Sequence, residues 1–294
     1  MRLFTFAGVM VLILSSSFVM AQPYDLDSLT DPLSPKSSEY FNILQKKKDP
    51  ALTNALLSKM TTSKNTQVRI HCARILLAAD NTPTLRKSYL DAFKYEKETR
   101  AKTMLAMTIG HRRITEALPE LKKYVLSEGN NDYMMFESKG VCIQSLGQLG
   151  KVSTPVLTSF AANTQLMNLY STHIMYALGM TGEESVVPLL MNCTKSNNEM
   201  TKTAAIIALT ERFSNYSPAT QKSILNTLIL LSEDSSAQVR QSVAQSLGQS
   251  KAKGAIPYLE KMLEDSYRIK QSHGDYYYPV RDMAKNALIE INRL

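Results

Sequence analysis

The chain has 294 residues and a mildly basic balance, formally +8, spread along its length. Its three cysteines, Cys72, Cys142 and Cys193, are too few and odd in number for an extracellular domain held by disulfides. No G-x-S-x-G elbow, phosphate-cradling glycine loop or histidine pair with metal-ligand spacing occurs, so no catalytic, metal or cofactor site is expected and the chain reads as a non-enzyme.

Residues 1–21 have the form of a secretory signal peptide. Arg2 gives a positive start, an apolar run follows to Leu14, and Val19 and Ala21 suit cleavage after Ala21. Arg2 is the one charged residue removed, which leaves the mature chain at +7. The expectation is export, to the periplasm or beyond, with no integral membrane segment in the mature chain. There a basic surface meets acidic proteins or other anions more readily than nucleic acid, so the expected partner is a protein.

Residues 22–37, with Pro23, Pro32, Pro35 and three aspartates, read as an extended, flexible lead. Residues 38–48 read as a capping helix, with Tyr40, Phe41 and Leu44 on one side and three lysines at its end, where they suit the helix dipole.

Residues 49–294 carry a repeat. An apolar residue and a cation are followed by small or apolar residues four and five positions on, Leu or Ile at eight, and often Gly at nine. Val239-Arg240 with Val243, Ala244, Leu247 and Gly248 is the clearest copy; Val68-Arg69 and Val280-Arg281 begin two more. The Leu or Ile anchors at 76, 109, 146, 178, 209, 247 and 288 step by 31 to 41 residues. Prolines at 50, 83, 119, 155, 188, 218 and 257 keep the same step, each leading an apolar helical pattern. Each unit is therefore a Pro-led helix, a turn and a second helix, here termed the VR helix, whose stripe is buried only by stacking on its neighbours. The glycine at nine is expected to end the VR helix, and Gly150, Gly182 and Gly254 to reverse the chain after it. Units anchored on Leu146 and Leu178 replace the leading Val with Ser138 and Tyr170, and the Leu209 unit lacks the glycine.

The V-R-x-x-A-A-x-A-L-G phrase with its Pro-led partner resembles HEAT repeats, in particular the short bacterial form called PBS-lyase-like. The resemblance spans residues 50–294 and implies an all-α fold, a right-handed α-α solenoid of about seven two-helix HEAT-like repeats. It implies little about activity, although some proteins with this repeat resemble phycobilin lyases.

Two features are candidates for function. The cation after the leading residue recurs as Arg69, Lys102, Lys139, Lys202, Arg240 and Arg281, with Ser171 the exception. Stacking aligns these as a ladder, either a basic stripe for an acidic partner or a brace within the array, since an acid precedes most of them (Glu98, Glu137, Glu199, Asp234, Asp275). Two long turns carry a matching phrase, Asp132-Tyr133-Met134-Met135-Phe136 and Asp275-Tyr276-Tyr277-Tyr278, at the same place in their repeats. Such side chains in a turn either fold back or bind a partner. The expected function is an exported protein-binding scaffold; a structural part of an envelope assembly and a chromophore-lyase-like enzyme are the rival readings. Buried free cysteines acting as small apolar residues are expected at Cys72 and Cys142.

Overall fold

The computed structural model describes residues 24–31, 33–129 and 132–292, so the expected signal peptide lies outside the described residues. The described chain is an all-α solenoid of seven HEAT-like helix pairs behind one N-terminal helix. That helix, α1 (Pro35–Lys47), precedes the Pro-led helices α2 (Pro50–Thr62), α4 (Pro83–Tyr95), α6 (Leu118–Val125), α8 (Thr154–Ala161), α10 (Val187–Cys193), α12 (Pro218–Leu231) and α14 (Ile256–Met262). Alternating with them are the VR helices α3 (Thr66–Ile75), α5 (Thr99–His111), α7 (Tyr133–Gln148), α9 (Thr164–Thr181), α11 (Glu199–Thr210), α13 (Ala237–Ser250) and α15 (Pro279–Asn292). All seven expected prolines fall at the first or second position of a helix, where the missing N–H has no partner to lose. Pro35 and Pro279 do the same for α1 and α15, so the first helix begins three residues before the expected Ser38.

Short polar side chains set where most VR helices start. Asn65, Asp132, Asn163, Asn198 and Ser236 each accept a hydrogen bond from a backbone N–H one turn into the helix. The apolar stripes then meet in one continuous core that runs from Leu26 to Ile291.

The VR helices pack on one another in series, α3 to α5 and so on to α15, more closely than the Pro-led helices do. The glycine at nine explains this, and its role differs from the one expected. Gly110, Gly147, Gly179 and Gly248 lie within the last turn of a helix and none has positive φ. They serve close approach: a Cβ on Gly147 would stand 2.6 Å from Cα of Ala177, and one on Gly179 2.6 Å from the Ala208 carbonyl oxygen. Ser145 and Ser246 tie the same seam by donating to the carbonyls of Ala106 (2.8 Å) and Ile206 (3.2 Å) on the preceding VR helix. In the Leu209 unit, which lacks the glycine, Thr210 takes its place and donates to Gln249 Oε1 at 3.1 Å. Gly150 and Gly182 do adopt left-handed backbone, but after α13 that conformation falls to Lys251 (φ 54°) in place of Gly254.

One other expectation is corrected, and two features appear that the sequence pattern does not mark. Residues 24–31 are not an extended, flexible lead: they turn against the first repeat and bury Leu26 and Leu29. Tyr24 donates to Asp49 (2.6 Å), Lys59 pairs with Asp27 (2.6 Å), and the Leu29 carbonyl accepts from His71 Nδ1 (2.7 Å). Leu26 and Leu29, spaced three apart, join the core at the end of the array, and these polar contacts hold the segment to α2 and α3. α9 is interrupted at Tyr170 (φ −125°, ψ 19°), which gives its repeat an extra helical turn before the VR segment and accounts for the departure from Val there. A two-stranded hairpin, β1 (Ile269–Lys270) against β2 (Tyr276–Tyr277), fills the long turn before α15.

Candidate functional site

Every turn from a Pro-led helix to its VR helix lies on one edge of the solenoid, and the cation ladder sits in that edge. Arg240 shows the full pattern. Its Nε and Nη2 meet the two carboxylate oxygens of Asp265 at 2.6 and 3.1 Å, and Nη1 donates to the carbonyls of Asp234 (2.8 Å) and Ser235 (3.1 Å). Asp265 belongs to the turn of the following repeat, while Asp234 and Ser235 precede Arg240's own helix. Arg69 repeats this geometry with Glu96 (2.7 and 2.9 Å) and the carbonyls of Ser63 and Lys64. Lys202 pairs with Asp234 of the next turn at 3.0 Å.

Where no acid is offered, the cation finds a carbonyl or a ring. Lys102 donates to the Glu96 carbonyl (2.8 Å) and lies 5.2 and 5.0 Å from the rings of Phe93 and Tyr124. Lys139 donates to the Ser127 carbonyl and is fully buried. Arg281 donates to the Asp265 carbonyl (2.6 Å) and stacks over Tyr278 at 4.3 Å. At Ser171 the rung becomes a hydroxyl pair with Thr201, 2.9 Å.

Arg69, Lys202 and Arg240 therefore clamp successive turns together, while Lys102, Lys139 and Arg281 hydrogen-bond to the turn that leads into their own helix. The partner is not the acid that precedes each cation along the chain. Lys202 reaches past Glu199 to Asp234, and Arg240 passes the Asp234 carboxylate for Asp265. Burial pushes the Asp265 carboxyl up, but the Arg240 hydrogen bonds, the Tyr267 N–H and the charges of Arg240 and Arg281 together outweigh it and hold the group below the usual carboxylate range. Glu96 and Asp234 are shifted the same way by the same balance. Burial holds the Lys102 and Lys139 ammonium groups below the usual lysine range.

With the charges tucked in, the edge presents apolar side chains. Tyr133–Phe136 form the first turn of α7 and not a loop, because Asp132 caps that helix through the Met134 N–H at 3.0 Å. The helix divides the phrase. Tyr133 is 73% exposed and Met134 also faces solvent. The Met135 thioether Sδ accepts from Tyr124 Oη at 3.0 Å, and Phe136 stacks on Tyr170 with centroids 4.8 Å apart. In the hairpin Tyr276 and Tyr277 are exposed, whereas Tyr278 is half-buried beneath Arg281.

Other residues of this edge carry no motif and escaped the sequence reading. Tyr95, Leu126, Leu169, Met200 and Leu230 lie at or near the same turns in the second to sixth repeats, and all are exposed. Leu126 and Leu169 border one groove with Ser127, Glu128, Asn163, Gln165 and Asn168. Away from these turns the exposed large apolar residues of the described repeats are fewer: Met107, Val152, Tyr258 and Ile289. Tyr95, Leu126 and Leu230 share a signal, an apolar residue at the end of a Pro-led helix; Leu169 and Met200, on the VR helices α9 and α11, share none.

Cys72 and Cys142 are free and buried, and Cys193 is half-buried. Burial pushes the Cys72 thiol up to about 12 and raises that of Cys142 as well, so neither is a ready nucleophile. His71 is buried against the lead and His173 packs over Gly140, where burial holds its imidazole below the usual histidine range. Among the described residues no group of three His, Cys, Asp or Glu side chains is placed to hold a metal, and no helix is long and apolar enough to cross a membrane.

No family model matches the chain, and no curated protein matches its sequence. Among solved structures, human deoxyhypusine hydroxylase in complex with glycerol is 14% identical, with a TM-score of 0.38, covering 92% of this chain and 95% of its own. YibA of E. coli is 15% identical, with a TM-score of 0.41, covering 89% of this chain and 98% of its own. Neither likeness bears on activity. The cation ladder and the apolar edge stand on this chain's own geometry.

Proposed function

We propose that the chain is an exported, non-enzymatic scaffold that binds proteins along its turn edge. One observation carries this reading: exposed apolar side chains recur at that edge in every repeat from Tyr95 in the second to Tyr277 in the seventh, while those away from it, Met107, Val152, Tyr258 and Ile289, are fewer and scattered. Apolar area held in water costs about 25 cal/mol per Å² relative to burial, and its concentration on one side of a rod marks an interface. The ladder supports the reading from beneath, because clamped turns offer their side chains in fixed positions, and a preorganised surface loses less freedom on binding.

Export rests on the residues of the first 21 positions. A chain cut after Ala21 keeps Tyr24, Leu26 and Leu29 and every contact described for them. Amino-terminal sequencing of the protein from the extracytoplasmic fraction is expected to start at Gln22; a start at Met1 in the cytoplasm removes this part. Kinship with the short bacterial PBS-lyase-like HEAT repeats is proposed on the repeated V-R phrase alone.

Photocrosslinking tests the binding edge. A photoreactive residue replacing Tyr95, Tyr133 or Met200 is expected to give discrete crosslinked partners in the native compartment, and one replacing Val152 or Tyr258 none. Equal crosslinking from both edges contradicts the assignment.

A further inference from the structure

The hairpin of the seventh repeat stands out from the rest of the edge because it offers main chain as well as side chains. Its ladder is two residue pairs long, Ile269 with Tyr277 and Lys270 with Tyr276. The Gln271 N–H donates to the Asp275 carbonyl at 2.8 Å, which fixes the alternation. Gln271–Asp275 and Ile269–Tyr277 are the hydrogen-bonded pairs, so the N–H and C=O of Lys270, and of Arg268 two residues back, point away from β2. Nothing in the described chain pairs with them. A two-stranded hairpin of this length is marginal in water, and a third strand completes it.

The side chains say what that strand carries. Arg268 and Lys270 flank the open edge of β1, and both are exposed. Arg268 is held in place over the Tyr276 ring at 4.2 Å, without a carboxylate partner among the described residues. From Tyr267 to Ser272 there is no acid, and Asp275 lies on the other strand, 3.6 Å from His273. On the opposite face Ile269 and Tyr277 are an exposed apolar cross-strand pair.

We propose that β1 is the docking edge for an extended, acidic segment of a partner protein, which adds as a third strand beside Arg268–Lys270. Its main chain pairs with the free groups of Arg268 and Lys270. Its carboxylates, on alternate residues, meet the guanidinium and ammonium, and its intervening apolar side chains extend the Ile269–Tyr277 face. This rests on the protein-binding reading above and adds the chemistry of the partner for one part of the edge.

The test uses the mature full-length chain and a fluorescent peptide of alternating Glu and Val, with two counterparts: one with Lys for Glu, one N-methylated at alternate amides. Polarisation is expected to show binding of the Glu peptide, weakened about ten-fold by N-methylation through loss of two main-chain bonds. The doubly reversed variant R268E/K270E, its fold checked by circular dichroism, is expected to prefer the Lys peptide. Equal binding of the N-methylated peptide, no binding of the Glu peptide, or unchanged preference in the variant overturns the proposal. So does a concentration-dependent dimer in sedimentation that R268E/K270E abolishes, since the edge would then belong to a second copy. If the peptides fail while crosslinks from Tyr95 and Tyr133 persist, the hairpin assignment alone falls; if both fail, the scaffold reading falls with it.

Discussion

Replacing Arg240 with Met removes one rung of the ladder while keeping most of the side chain's volume. The guanidinium makes two bonds to Asp265 and two to main-chain carbonyls, and the paired side chains are 16% and 10% exposed. Breaking a fully buried pair costs about 3–5 kcal/mol; with this residual access to water a loss of about 2–3 kcal/mol is expected. The sign of its pH dependence follows from Asp265. A carboxyl whose folded-state pKa is depressed contributes stability above its unfolded value, near 3.9, and that contribution disappears as pH falls through the folded pKa. In Arg240→Met burial acts with less opposition, so Asp265 resists ionisation and the variant gains relief from acid. The gap between the two proteins is therefore expected to be widest near pH 7 and to narrow below about pH 4. Thermal and urea unfolding at both pH values measure it. A gap under about 0.5 kcal/mol at neutral pH, or one that does not change with acid, refutes the clamp.

Gly179→Ala places a methyl against the Ala208 backbone and is expected to cost about 1–3 kcal/mol, whereas Gly254→Ala, with open space around it and ordinary backbone, is expected to be near neutral in the same melts. Leu29→Ala opens a cavity under the lead and is expected to cost about 2–5 kcal/mol, read as faster hydrogen exchange confined to α1–α3; unchanged exchange there would mean the lead is not packed. Changing Tyr276 and Tyr277 together to Ser is expected to shift stability by no more than about 0.5 kcal/mol while reducing partner crosslinking at the hairpin, and a large loss of stability would show that the rings serve the fold.

The repeat was legible because two physically independent markers, the proline of one helix and the apolar stripe of the other, share a period. What the glycine does was not. A glycine near a helix end suits a cap or a close crossing equally well, and only the position of Ala177 or Ala208 on the neighbouring helix decides. The cations were visible and their bracing role was one of two readings, but the actual partners, Glu96, Asp234 and Asp265, lie one repeat further along, at sequence separations of 25 to 32. The prolines and aspartates of the lead suggest an extended, flexible segment, since the surface that receives Leu26 and Leu29 exists only after α2 and α3 have paired. Tyr133–Phe136 looked like one exposed phrase; a helical period of 3.6 residues turns Phe136 inward onto Tyr170 and leaves Tyr133 outside.

Native-state hydrogen exchange tests the architecture most directly. If the VR helices form one close seam, amides of α5, α7, α9 and α11 should be the slowest in the molecule, with protection falling toward α3 and α15 and lower in the Pro-led helices throughout. Pro-led helices protected as well as their VR partners, or a middle of the array that exchanges as fast as its ends, would contradict a solenoid built on that seam.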